Sequence, residues 1–437
     1  MNTAQLLQPL LDGGIQSIKF FNGRLLSSED LQQEQQAQRE ARALLGVALG
    51  DGVVHGLEVS RAGAAIEPVL RVEAGLAVNR EGVPVHLPEA LEISLAPTSK
   101  SAGSPVSGDT SAGLFHVCDA PANGNYLPGR DLWILTIGPA QGTRGRAPVT
   151  GLGTSAGACN AKYLIDGVTF RTRCITTRFA AGDFSADAEA RLRSRVASRC
   201  FDHDRALDMI RDPFGTPTRR RLVDDLRAEG VITETEVPLA VFYWKAGVGF
   251  VFVDRWSVRR RVALRDRGDR FSPVFSDASR AQSEALLVQF QEQIDDLFHT
   301  LPEAVKASQV FTHLPPVGVL PVRGDPSPRG FSIPQFFQGL TLRPTVGFLP
   351  EGPPAFEAHT VIEGSRVCRL LEQALSYAPV STATDEMFWI YQVRENIQAV
   401  RASGGVVQPY VIFARGAVPY HGDAHYNVSH WSYATYS

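Results

Sequence analysis

Lysine is scarce in this chain. Its 437 residues hold five lysines against 38 arginines, and acidic residues leave a net charge of −3 at pH 7. A general binder of nucleic acid or of an anionic membrane carries an excess of positive charge. Neither partner is expected here. Arginine in place of lysine favours bidentate pairing and tolerates burial at interfaces.

Paired cysteine motifs are also missing. Cys118, Cys159, Cys174, Cys200 and Cys368 are odd in number and form no C-x-x-C, which points away from a disulfide framework and from a zinc knuckle. Reduced thiols are the expectation for a protein made in the cytoplasm. Met1 to Ile15 lacks the basic start and long apolar core of a signal peptide. No apolar run approaches the roughly 20 residues of a membrane span, so no direct membrane insertion is expected. No P-loop, H-E-x-x-H or dinucleotide-binding glycine pattern occurs, and there are no sustained heptads. No cofactor is indicated.

What remains is ordinary folded-protein composition, 44% hydrophobic and 20% charged, over a length that suits roughly two to four domains. The pattern predicts an α+β, multidomain protein built of several small antiparallel β units with packed helices. The expected boundaries are 1–97 for an N-terminal helix plus β docking module, 98–308 for a central α+β domain and 309–437 for a C-terminal α+β domain.

Residues 4–11 read as a short helix and Ser17 to Phe21 as a strand, closed by the turn dipeptide Asn22-Gly23. Ser27 and Asp30 have capping-box spacing, which predicts a helix running to about Leu45. Leu31, Ala37, Ala41, Leu44 and Leu45 fall on one narrow arc of that helix, the stripe expected to be buried. After Gly52 the period becomes two: Leu70, Val72, Leu76 and Val78 are expected on one face, with Val83, Val85, Leu87, Leu91, Ile93 and Leu95 completing three or four strands. Residues 97–113 read as a linker and 138–160 as a second small-residue loop. Between them Asp131 to Ile137 is apolar on both faces, as in a central strand. Helical patterns cover about 186–211, 217–229, 277–299 and 363–377. Val237 to Trp244 and Gly249 to Val253 form a hairpin pair, and further strands are expected near 387–393 and 408–414.

The candidates for chemistry lack their contexts. Gly153-Thr154-Ser155-Ala156-Gly157 matches the G-x-S-x-G elbow, which needs a buried strand before the serine and a helix after it; neither flanks it here. His421, Asp423 and His425 alternate as metal ligands on one strand face would, with His430 nearby, but no further ligand follows from spacing. Arg219-Arg220-Arg221 and Arg259-Arg260-Arg261 have aspartates beside them, which favours solvated faces or salt bridges between subunits over phosphate binding. His55, at a strand start, has no catalytic partner in sequence. Asn427-Val428-Ser429 fits a glycosylation sequon without a secretory signal. A metal-dependent or serine hydrolase is therefore the weakest reading, and no enzyme activity is expected.

Several runs carry a resemblance. Phe20-Phe21-Asn22-Gly23-Arg24-Leu25-Leu26, the glutamine-rich helix after it and Gly52-Val53-Val54-His55-Gly56-Leu57-Glu58-Val59 resemble a structural protein family of phage-tail-like contractile injection systems. Ala74-Gly75-Leu76-Ala77-Val78 with Gly82 is similar to a turn-and-strand theme of phage baseplate and fibre-attachment proteins. Phe252 to Arg260, His313 to Gly318, Ile390 to Asn396 and Phe413 to Tyr420 continue the resemblance in patches. It implies a structural subunit at the baseplate, or in a cage or extension around it. Such a chain is made in the bacterial cytoplasm and built into a tail-like particle that stays there or is released. Its partners would be copies of itself and other baseplate or tail proteins. The alternative is a receptor-binding fibre or adhesin of the same particle. The family brings no catalytic motif. Arg24, Asp254, Arg255, Trp256, Arg259, Arg394 and Asn396 are the residues expected to anchor assembly contacts, because they combine charge or aromatic area with strand-edge positions; intrachain salt bridges are the other fate open to them.

Overall fold

Ser27 starts the first helix as its spacing predicts. In the computed structural model its hydroxyl accepts from Asp30 N at 3.1 Å, while Asp30 Oδ2 accepts from Ser27 N at 2.9 Å. The helix runs Ser28–Leu49, one turn past the expected end, and stops at Gly50, whose φ is +100°. The structure describes residues 11, 14–63, 67–95, 130–147, 160–201, 221–264, 277–300, 304–323, 329–337, 341–343, 360–383, 387–404 and 406–415. Most of the expected 4–11 helix, the whole 97–113 linker, the Ser155 motif and the C-terminal histidines lie outside them.

Two expectations for this segment fail. Ser17 to Phe21 is not a strand: among the described residues it has no strand to pair with, and Ile18 N donates to Glu34 on the helix instead, at 3.2 Å. The leucine stripe is not covered either. Only Ala37 and Gly46 of the helix are buried, and Leu31, Leu44 and Leu45 are exposed. The small residues make the contact because the backbone comes so close. A Cβ at Gly46 would stand 1.9 Å from Gly82 O, and one at Gly82, where φ is +78°, would stand 1.9 Å from Ala43 O.

The N-terminal β unit has six strands rather than three or four: β1 (Gly52–Gly56), β2 (Val59–Ala62), β3 (Val69–Val72), β4 (Gly75–Val78), β5 (Pro84–Leu87) and β6 (Leu91–Ser94). They form two antiparallel sheets, ordered β1-β4-β5 and β2-β3-β6. The Glu73-Ala74 turn passes the chain from one sheet to the other and shifts the alternation. Leu70, Val72 and Val78 are buried as expected, but Ala77 is buried in β4 while Leu76 is only half-buried.

The central sheet is ordered β10-β9-β7-β8, from β7 (Arg130–Ala147), β8 (Asn160–Cys174), β9 (Val237–Lys245) and β10 (Gly249–Asp254), all antiparallel. Alternate residues of β7 serve two cores. Trp133, Leu135 and Ile137 pack with Val53, Leu70, Ala77 and Val85 of the N-terminal unit. Leu132 and Ile134 face the helices Leu192–Phe201 and Leu222–Ala228. Cover on both faces explains the continuous apolar runs of β7 and β9. It also means that the boundary expected at residue 97 does not divide two cores.

Part of the stretch expected as a loop at 138–160 is strand. β7 and β8 stay paired from Gly138↔Thr169 out to Ala147↔Asn160, past the end of β9 pairing at Ile137↔Val237. A two-stranded arm therefore leaves the sheet.

The helix Asp277–Phe298 crosses from this region to the C-terminal one. Ala285 and Leu286 pack on Phe201, while Phe290 and Ile294 enter the C-terminal core. Gly318 permits that entry, since a Cβ there would lie 2.7 Å from the Phe290 ring and 2.5 Å from Phe413. The C-terminal sheet is mixed, an addition to the antiparallel expectation. After the short strand β11 (His313–Leu314) come β12 (Val317–Pro321), β13 (Thr341–Arg343) and β14 (Thr360–Ile362). Then follow β15 (Val380–Ser381), β16 (Met387–Val393) and β17 (Tyr410–Arg415). The order is β12-β17-β16-β13, and β13 and β14 both run parallel to β16. Helices Gly364–Ala374 and Arg394–Ser403 complete the unit; the second is absent from the sequence expectation. The architecture is α+β with several small sheets, as the pattern indicates.

Gly46→Leu should detach the N-terminal helix without unfolding the protein. Amide hydrogen exchange should lose at least about tenfold in protection over residues 37–46, about 1.4 kcal/mol, with the central sheet unchanged.

Candidate functional site

Four of the seven expected anchor residues sit on one turn. β10 delivers Asp254 into the interior, where the side chain has no exposed surface. Its Oδ2 accepts from Arg193 Nε at 2.9 Å and from Gln289 Nε2 at 2.8 Å, and its Oδ1 accepts from Ser257 N at 2.8 Å. Arg193 is itself buried and reaches Asp296 on the long helix. Burial opposes the charge on Arg193, but Asp254 and Asp296 outweigh it and raise the guanidinium pKa overall. Arg255 Nε and Trp256 Nε1 both donate to Glu292 Oε1, at 2.7 and 2.8 Å.

Arg259 is nearly buried. It donates to Gly56 O at 2.6 Å, pairs with Glu58 at 3.3 Å and lies over the Trp256 ring at 4.8 Å. Burial lowers its pKa, with Glu58 opposing. The turn it holds is strained: Leu57, the one described non-glycine residue with positive φ, sits at φ 59° with its side chain fully buried. Arg259 offsets that cost by fixing the preceding carbonyl. Asp254 and Arg259 thus meet intrachain partners, the second of the two fates open to them. The expectation of solvated faces for Arg259-Arg260-Arg261 holds only at Arg261, which is half exposed and pairs with Glu284 at 2.8 Å. Arg260 is held by backbone carbonyls and the Phe201 ring.

The other three lie apart. Arg24 pairs with Asp30 at 2.7 Å and sits 6.0 Å over the Phe21 ring, at the start of the first helix. Arg394 pairs with Glu363 at 3.0 Å on the surface. Asn396 ties its helix to β17, donating to Gln408 O at 3.1 Å and accepting from Tyr410 N at 3.2 Å. His55 is solvent-exposed in β1. His421, Asp423 and His425 lie outside the described residues, and among the described residues no His/Cys/Asp/Glu group is arranged to hold a metal. The reduced-thiol expectation needs correction at Cys174, which is disulfide-bonded to a partner outside the described residues; Cys200 and Cys368 are free. No described helix is long and apolar enough to cross a membrane.

The surfaces left apolar were not marked by the anchor residues. Along the N-terminal segment Phe20, Phe21, Leu31 and Leu44 are exposed, with Leu25 at 93% and Leu45 at 68%. On the β7–β8 arm Tyr163, Leu164 and Ile165 are exposed in succession. A two-stranded ribbon is marginal in water on its own. The signal in the sequence was Tyr163-Leu164-Ile165 itself, an apolar triplet amid small residues.

No family model matches the chain, and no curated protein does. Among solved structures, a crystal structure of TssK aligns with 9% sequence identity and a TM-score of 0.21 over 50% of this chain. The chain spans about half the length of that structure, 54%. The score is too low to indicate a shared overall arrangement.

Arg259→Met should cost about 1.5–3 kcal/mol in urea denaturation, the range for hydrogen bonds made by a charged group. Arg394→Met, losing an exposed pair, should cost under about 1 kcal/mol. Equal costs would contradict the distinction between a buried clamp and a surface pair.

Proposed function

We propose that this chain is a non-enzymatic structural subunit of a phage-tail-like contractile injection system, at the baseplate or in a cage or extension around it. It works by packing against copies of itself and against neighbouring baseplate proteins. The observation that carries this reading is the exposed apolar surface of the Phe20–Leu49 segment. Exposed leucine and phenylalanine recurring along one segment cost solvation, and a partner surface explains them. Ala37 and Gly46 are the buried residues of the helix, and its leucines are left exposed. This segment also carries one of the patches of sequence resemblance to the injection-system family.

The β7–β8 arm supports the same reading. Beyond Ile137 its strands pair with each other and, among the described residues, with no third strand, a form that gains stability when a neighbouring chain adds to it. The hydrolase candidates Ser155, His421, Asp423 and His425 lie outside the described residues. The thiol of Cys200 is pushed up to about 12 by burial, so it is protonated and a poor nucleophile.

Purified chain viewed in electron micrographs should form symmetric rings or cages, or appear in stoichiometric amount in the intact particle. Leu44→Glu combined with Leu45→Glu should abolish that assembly and leave the melting temperature within a few degrees, since both residues are exposed. A monodisperse monomer that is absent from the particle contradicts the proposal, and binding of that monomer to target cells would favour the adhesin alternative.

A further inference from the structure

The turn after β10 also walls a cleft of about 360 Å³. Five arginines line it: Arg80, Arg221, Arg227, Arg260 and Arg261. Three carboxylates, of Asp51, Asp224 and Glu236, line it as well, and their charge is already committed. Asp51 and Asp224 both pair with Arg80, at 3.5 and 2.8 Å. Glu236 pairs with Arg173 at 3.1 Å and Arg171 at 3.8 Å.

Among the described residues no carboxylate contacts Arg260, and Arg227 has one only at the limit of an ion pair, Glu234 at 4.0 Å. Arg260 donates to the carbonyls of Trp256, Arg259 and Ser257 and stacks 4.4 Å from the Phe201 ring; among the described residues no carboxylate lies within salt-bridge distance. It is half-buried and lines the cleft. Arg227 donates to Thr233 O and Glu236 O, both at 3.0 Å, and its nearest carboxylate, Glu234, is 4.0 Å away. Its Nε is buried with no hydrogen-bond acceptor. Burial, reinforced by the nearby Arg221, lowers the Arg260 pKa to about 9, and burial with Arg80 lowers that of Arg227 to about 10. Both are still cations at neutral pH. Buried charges are ordinarily paired, because an unpaired one forfeits its hydration. The neighbouring Cys200 is a neutral thiol and supplies no counter-charge.

We propose that this cleft is a binding site for a small multivalent oxyanion of the phosphate class, held by Arg260 and Arg227 from within and by Arg261 at the rim. Guanidinium groups match such ligands because their planar fork donates two parallel hydrogen bonds to a pair of oxygens. The volume suits a small ligand rather than a peptide segment. Bound anion would bridge the helix Leu222–Ala228, the turn after β10 and the first β unit, and so stabilise the folded state. The site does not depend on the particle role and stands or falls separately from it.

The test is titration calorimetry of the full chain with inorganic pyrophosphate, with sodium chloride at matched ionic strength as the control. Saturable one-to-one binding is expected, together with a rise in melting temperature that chloride does not reproduce. Arg260→Met should weaken binding at least tenfold, and surface Arg401→Met should leave it unchanged. Arg261→Gln, whose exposed pair with Glu284 is not needed for folding, should weaken it severalfold and carries the test if Arg260→Met fails to fold. No saturable binding to the unmodified chain overturns the proposal. So does binding that is unchanged in both Arg260→Met and Arg261→Gln.

Discussion

The Asp254 carboxylate is the constraint on which the rest of the molecule depends. It is buried without exposed surface and filled by three donors that come from different elements: Arg193, Gln289 and the Ser257 amide. A buried ion pair is weak evidence for net stability, since desolvation can cancel the Coulomb gain. Breaking one is expensive, because the partner is left charged in a low-dielectric setting. The pair therefore acts more as a geometric lock than as a source of stability. It sets where the helix Leu192–Phe201 and the long helix Asp277–Phe298 meet the end of β10.

From that lock the remaining packing follows. Five residues on, Arg259 clamps the carbonyl before the strained Leu57, and Val53 N donates to Arg260 O at 2.8 Å while Val262 N donates to Val53 O at 2.9 Å. The N-terminal β unit is thus sewn to the turn that carries Asp254. In the other direction, the long helix that bears Gln289 and Glu292 also sends Phe290 into an aromatic cluster with Phe311 and Phe413, at ring separations of 5.0 and 5.5 Å. One short turn connects all three regions. Because the central sheet is covered on both faces by the chain's own elements, the exposed apolar residues lie outside it, several of them on the N-terminal segment and the β7–β8 arm. That distribution suits a subunit with a rigid middle and adhesive extremities.

The parts of this arrangement visible in the sequence are those with local causes. The Ser27 cap, the doubly apolar β7, the β9–β10 pair and the Leu286-Phe290-Ile294 spacing each declare themselves within a few residues. The arm did not, because its pairing is carried by backbone hydrogen bonds and its composition is that of a loop. Ser17 to Phe21 misled for the opposite reason: strand-like residues with no partner strand. The helix Arg394–Ser403 follows directly on an apolar strand and has no side-chain cap at Val393 to announce it. Arg24, Asp254, Arg259 and Arg394 stood out as charged residues in promising places, but sequence holds no sign of which would meet partners within the fold. Arg193, which decides the fate of Asp254, lies in a run of arginines that looks like any other polar helix. Composition could show an excess of arginine and could not show that Arg260 would line a cleft.

Hydrogen exchange on Asp254→Asn tests the locking role most directly. The substitution keeps the shape of the side chain and removes the charge that faces Arg193. The account predicts a joint loss of protection in Gly52–Val59, Leu192–Phe201 and Asp277–Phe298, elements that are far apart in sequence. A loss confined to residues 254–257, with those three elements as protected as before, would contradict it.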